Sequence, residues 1–158
     1  MKTLVVGFGS PFGDDRIGWD VIDELERHLK QNPDLDVTLF KSKGSGFDWL
    51  NVAADAEQAI FVDAVKSNKQ PGYIHHIRFD ENTITSELPT FSSHGVALVD
   101  VIHLTRNAEL FSQPVAFYGV EIPDQISAKH AEMLQQAKQQ LLERLLLEIS
   151  FPEPIVTS

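Results

Sequence analysis

Short apolar runs rich in β-branched residues alternate along this chain with longer stretches whose apolar residues recur at helical spacing. That alternation restricts the fold to an α/β sheet with helices on both faces. Residues 2–7 (KTLVVG) predict a buried strand, too short and too β-branched for a helix. A helical stripe follows over 17–30, carried by Ile17, Val21, Ile22, Leu25 and Leu29, and Asn32 with Pro33 stops it. Residues 36–41 (DVTLFK) alternate as a second strand, and the turn KSKGSG leads into a short helix near 46–55 with Phe47, Leu50 and Ala54 on one side.

The most hydrophobic strand is predicted at 58–63 (QAIFVD), central in the sheet and stopping on Asp63. A polar loop with a Pro-Gly turn separates it from YIHHIRF at 73–79, close enough in sequence to return antiparallel at an edge. A loop over 80–93, a helix over 94–106 and a strand over 114–120 (PVAFYGV) come next. A helix over 127–149 closes the series, with Met133, Ala137, Leu141, Leu142, Leu145 and Leu146 as its buried face. Nothing repeats and no linker interrupts the pattern, so residues 1–150 read as one domain and 151–158, with two prolines, as a flexible tail.

Composition narrows the chemistry. The chain has no cysteine, which excludes disulfides, thiolate metal sites and a cysteine nucleophile. Its net charge of −10 repels a phosphate backbone and an anionic membrane face, so neither nucleic acid nor membrane is an expected partner. The opening MKTLVVGFGSPF is broken by glycines and by Asp14 and Asp15, which fits a buried strand better than a signal peptide. A soluble, cytoplasmic protein, monomeric in the simplest case, is the expectation.

The polar residues that stand out lie where strands end or helices begin. Asp14 and Asp15 follow the glycine-rich turn after the first strand, where one carboxylate can cap a helix and the other remain a ligand. Asp63 closes four apolar residues, where a carboxylate costs several kcal/mol unless it is paired, hydrogen-bonded or metal-bound. His94 stands behind Ser92 and Ser93 at a helix start, where the dipole favours the neutral, ligand form of the ring. His75 and His76 are adjacent on a strand and so point to opposite faces, while His28, His103 and His130 sit on helices. In an open α/β sheet such strand-end residues can converge, and two carboxylates with one imidazole suit a borderline divalent metal such as zinc or nickel.

Two other readings fit less well. Gly7, Gly9 and Gly13 miss the dinucleotide-binding spacing by one residue, and a pyrophosphate there would face two carboxylates. Ser10 lacks the G-x-S-x-G elbow of a serine hydrolase, and Pro11 removes the next N–H.

Four segments together resemble the hydrogenase maturation protease family. GFGSPFGDDRIG at 7–18 resembles the family's G-x-G-N-x-L-x-x-D-[DE]-x-x-G, and AIFVDAV at 59–65 its apolar strand ending in aspartate. SSHGVAL at 92–98 resembles its S-x-H-x-x-x-L segment, and YGVEIP at 118–123 its later strand running into G-[VI]-x-P. The resemblance spans roughly 2–147 and implies a three-layer α/β sandwich with a mostly parallel twisted sheet. It implies an endopeptidase that trims the C-terminal extension from the large-subunit precursor of a nickel-iron hydrogenase.

By the same resemblance Asp15, Asp63 and His94 contact a nickel ion supplied with the substrate, with zinc or cadmium able to stand in. Asp14 would act as base or support Asp15. The chain departs from the family pattern at Ser10, at Arg16, in a first turn one residue shorter, and in Lys43-Gly44-Ser45-Gly46 where the family has G-T-x-G. Those departures keep a second expectation open: a metal-dependent binding or chaperone module that docks on a metalloenzyme precursor and cuts nothing.

Overall fold

The computed structural model describes residues 2–9, 16–43, 47–79 and 98–151. Five strands, β1 (Thr3–Phe8), β2 (Val37–Ser42), β3 (Gln58–Val65), β4 (Ile74–Phe79) and β5 (Val115–Glu121), form one sheet in the order β2-β1-β3-β5-β4. The pairs β1–β2, β1–β3 and β3–β5 are parallel; β4 alone runs antiparallel, on β5, at the edge. The predicted central strand and the predicted antiparallel edge strand both occupy those places. Three α-helices, α1 (Ile17–Lys30), α2 (Leu98–Asn107) and α3 (Ala128–Ser150), and a short 3-10 helix over Asp48–Val52 complete the described elements.

Strand alternation divides the core in two. Val5, Ile60, Val62, Tyr118 and Val120 point to one face, where Val21, Ile22 and Leu25 of α1 and Leu134, Leu141 and Leu145 of α3 cover them. Leu4, Val6, Phe8, Phe61, Val65 and Phe117 point to the other, against Trp49 of the 3-10 helix, Val101 and Ile102 of α2, and Phe111. Trp49 anchors this second layer edge-on, its ring 5.0 Å from that of Phe61 and 5.4 Å from that of Phe111. Helices on both faces of a mostly parallel sheet are the three-layer α/β sandwich the sequence predicts.

Four local readings need correction. The helix expected near 46–55 is a five-residue 3-10 turn, in which three residues per turn bring Ala53, not the exposed Ala54, beneath Leu50. Trp49, buried there, was not among the expected core residues. In α3 the buried stripe is Leu134, Ala137, Leu141, Leu142, Leu145 and Ile149. Met133 and Leu146 are only half-buried on its flank. Finally, β3 does not stop on Asp63: its ladder with β5 continues through Ala64–Val120 and Val65–Glu121. The expected start of the helix at 94–97 and the tail over 152–158 lie outside the described residues.

Candidate active site

The sheet order creates a crevice at the carboxyl end of β3. β1 connects through α1 to β2 on one side, whereas the chain after β3 continues to β4 and β5 on the other. The divergence of connections on either side of β1 and β3 is the arrangement at which open α/β sheets bind ligands. The β1–β3 ladder ends at Gly7–Val62, so Asp63 is the first residue of β3 beyond the reach of β1.

Two glycines close the other side of this junction. A Cβ on Gly18, in the first turn of α1, would lie 2.3 Å from the Phe8 carbonyl oxygen and 2.7 Å from that of Val62. A Cβ on Gly7 would lie 2.3 Å from the Gly18 carbonyl oxygen. Backbone therefore packs directly on backbone, and the start of α1 rests on the ends of β1 and β3, one residue from Asp63.

Asp63 is only 1% exposed. Its side chain shares a face with Phe61 and Val65, the α2 face, by strand alternation. Its Oδ1 accepts the N–H of Ala64 at 2.8 Å, which offsets part of the cost of burying a carboxylate. Across the ladder it faces Gly119, and a side chain there would strike Val65 Cγ2 at 2.3 Å. Asp14, Asp15, Ser10, Gly44–Gly46 and His94 lie outside the described residues, so of the predicted metal-contacting set the structure places Asp63. Arg16, next to that stretch, is exposed and its Nε lies 3.9 Å from Asp20 Oδ1.

Beyond Gly119 the same sheet row reaches His75 on β4, and His75 and His76 do point to opposite faces. His76 stacks on Tyr118 with ring centres 4.5 Å apart, on the α3 side. Burial and the Glu148 carboxylate, which accepts its hydroxyl, push the Tyr118 phenol well above its usual range. His75 faces a group that sequence reasoning missed. Glu121 is 2% exposed, and its Oε2 accepts the Ser67 N–H at 2.8 Å. Its Oε1 accepts the Ser67 hydroxyl at 2.5 Å and lies 3.1 Å from His75 Nε2. The signal available in sequence was a lone glutamate inside an otherwise apolar strand.

Burial pushes the Glu121 carboxyl up, but the Ser67 donors and His75 outweigh it and hold the group below its ordinary value of 4.5. A carboxyl lowered on folding contributes stability above its unfolded value, and that contribution is lost as pH falls through the lowered value. Glu121→Gln should therefore cost about 1–3 kcal/mol near neutral pH, where it turns an acceptor into a donor facing a donor. In urea unfolding the gap from wild type should close as pH drops below 4.5. A gap of constant size at acid pH would show that the charge of Glu121 contributes nothing.

The chain is similar to known proteins in both sequence and fold. The model of the hydrogenase maturation protease family (HycI) matches residues 19–149. A Methanocaldococcus jannaschii protein named as a candidate hydrogenase maturation protease is 30% identical over 151 residues, covering 92% of this chain and 95% of its own. The hydrogenase maturating endopeptidase HybD of Escherichia coli superposes with a TM-score of 0.64 at 24% identity, covering 92% of this chain and 93% of its own. The [NiFe] hydrogenase maturation protease HybD of Thermococcus kodakarensis superposes with a TM-score of 0.67 at 20% identity, covering 92% and 99%. Among the described residues no helix is long and apolar enough to cross a membrane. With its sequence matched over most of its length and its strands in this order, the chain belongs to the hydrogenase maturation protease family.

Proposed function

We propose that this chain removes the C-terminal extension of a nickel-iron hydrogenase large-subunit precursor once nickel has been inserted, and that Asp15, Asp63 and His94 contact that nickel. The observation that carries the reading is the buried Asp63 carboxylate at the carboxyl end of the central strand, in a member of a processing-protease family. A carboxylate this buried is pre-organised: the Ala64 N–H, donating to its Oδ1, helps hold it in place for a cation brought by the substrate. Two carboxylates and one imidazole leave coordination positions open, so the metal can be shared between precursor and enzyme. Nickel bound in the precursor would supply a Lewis acid to polarise the scissile carbonyl.

The chain's own residues then have separate tasks. Asp63, Asp15 and His94 fix the precursor's metal, Asp63 from the carboxyl end of β3. Asp14 serves as base or supports Asp15. Because recognition runs through the metal, a precursor without nickel is not engaged.

The test is the intact mass of a purified large-subunit precursor, with and without nickel, after incubation with this protein. Loss of a C-terminal peptide from the nickel-loaded sample alone is the expected result. An unchanged mass in a proven nickel-loaded precursor overturns the reading. If that precursor nevertheless co-elutes with the protein, the metal-dependent binding module is the function instead.

A further inference from the structure

We propose that three exposed lysines at the carboxyl end of the sheet, Lys43, Lys66 and Lys69, form a docking rim for an acidic patch on the precursor. The inference rests on the reading of the chain as a precursor protease, and names the surface chemistry of its partner. Lys43 directly follows β2, Lys66 directly follows β3, and Lys69 lies in the connection to β4. The sheet order β2-β1-β3-β5-β4 therefore sets one lysine on one side of Asp63 and two on the other. Two strand spacings separate Asp63 from the end of β2, and three residues of chain separate it from Lys66, so each flank lies on the order of 10 Å away.

Both flanks are built on the face of the sheet that Asp63 faces. The Lys43 N–H donates to Asp48 Oδ2 at 2.8 Å, at the start of the 3-10 helix whose Trp49 packs in the α2-side core. On the other flank, Glu121 shares a face with Gly119, the ladder partner of Asp63. The buried Glu121 carboxylate accepts both the N–H and the hydroxyl of Ser67, and the Glu121 carbonyl accepts the Gly72 N–H at 2.8 Å. A buried glutamate thus pins an exposed loop. Lys66 and Lys69 are presented on a fixed backbone, which lowers the entropy lost on docking.

Charge selects the partner. Lys2, Lys41 and Lys138 pair with Asp55, Asp23 and Asp20 at 3.5, 2.7 and 3.6 Å. Lys43, Lys66 and Lys69 make no ion pair among the described residues, and Lys69 instead lies 5.9 Å from the centre of the Tyr73 ring. Solubility does not call for them, because in a chain of net charge −10 each lysine brings the charge closer to zero. Nor do they guard a sheet edge, since all three lie beyond strand ends. A chain this acidic repels an acidic partner at long range, and cations gathered around the contact restore attraction there. The rim borders Asp63, so the partner it receives is the one whose metal Asp63 contacts.

The experiment measures the association rate of nickel-loaded precursor by stopped-flow fluorescence, and its cleavage in the same mixtures. Salt is set at about 10 mM and about 150 mM, between which the Debye length falls from about 30 Å to about 8 Å. Lys43→Glu, Lys66→Glu and Lys69→Glu are each compared with Lys30→Glu, the same charge change on an exposed residue at the far end of α1. Each rim variant should slow association about fivefold at low salt and less than about twofold at high salt. The KM for precursor should rise by a similar factor, with the effect on KM rather than kcat. Lys30→Glu should stay within about twofold of wild type at both salts. Rim variants that associate like wild type, or faster, overturn the rim even if precursor is cut normally. An equal loss in Lys30→Glu overturns it too, because net charge alone would then account for the effect. Salt-sensitive association that depends on the rim lysines, by a protein that leaves nickel-loaded precursor uncut, supports the rim and overturns the protease reading.

Discussion

Asp63→Asn should lower precursor cleavage by roughly 10²–10⁴-fold while costing no more than about 1–3 kcal/mol of stability. Both halves follow from the same burial. A carboxylate 1% exposed on the central strand is held against its desolvation cost by compensating donors, among them the Ala64 N–H. Asparagine keeps an oxygen acceptor of the same shape for that N–H, so the backbone at the strand end is retained. It also removes the buried charge with its desolvation cost, which offsets part of what the amide NH2 loses at the second oxygen position. What it loses is the negative charge that a metal in the substrate would need. A rate that falls by orders of magnitude while the protein stays folded is the pattern of a group kept for function rather than for folding. A time course of precursor mass, with a thermal melt of the same samples, measures both quantities. Wild-type cleavage by Asp63→Asn would remove Asp63 from the site, and loss of activity accompanied by unfolding would make its role structural.

The elements were legible where periodicity decides them. The apolar stripe from Ile17 to Leu29 marks α1 at both ends, and the apolar runs around Val5, Ile60 and Phe117 mark three buried parallel strands. The short 73–79 run was legible as an edge because the preceding loop is too short for a crossover. Errors appear where a partner distant in sequence decides. Whether β3 ends on Asp63 depends on a ladder with β5, whose residues Val120 and Glu121 lie more than 50 positions away. Met133 and Leu134 are both apolar, and only the docking of α3 on the sheet selects Leu134 for the core. The 3-10 turn was read at a helical period because five residues carry too little pattern to tell 3.0 from 3.6.

The candidate site was legible in a different way. Asp63 stands out physically, as a carboxylate closing an apolar strand, and the structure places it buried at the crevice. Asp15 and His94 gain their roles from the motif resemblance, since neither residue type nor spacing alone distinguishes a ligand from a cap. Glu121 carries only the weak signal of a glutamate in an apolar strand, because what makes its burial tolerable, Ser67 and His75, comes from two other parts of the chain.

The second large effect is expected from a single methyl group. Gly18→Ala should destabilise the protein by about 3 kcal/mol, a fall in thermal midpoint of roughly 6–12 °C. On helix propensity alone the sign would be the reverse, because alanine is favoured over glycine within a helix by about 1 kcal/mol. Packing overrides propensity here: the new Cβ would lie 2.3 Å from the Phe8 carbonyl oxygen, 2.7 Å from that of Val62 and 2.8 Å from the Phe8 nitrogen. All three atoms are backbone of β1 and β3, so no side chain can rotate away and the start of α1 must lift off the sheet. That movement would carry Arg16, and the chain entering it, away from the end of β3. Cleavage should therefore fall further than the loss of folded protein explains, even at temperatures where the variant is fully folded. Thermal melts joined to precursor cleavage at 10 °C below the variant's midpoint separate the two effects. A Gly18→Ala protein as stable as wild type would mean that α1 does not rest on the strand ends. A destabilised variant with a normal rate per folded molecule would mean that the start of α1 takes no part in the site.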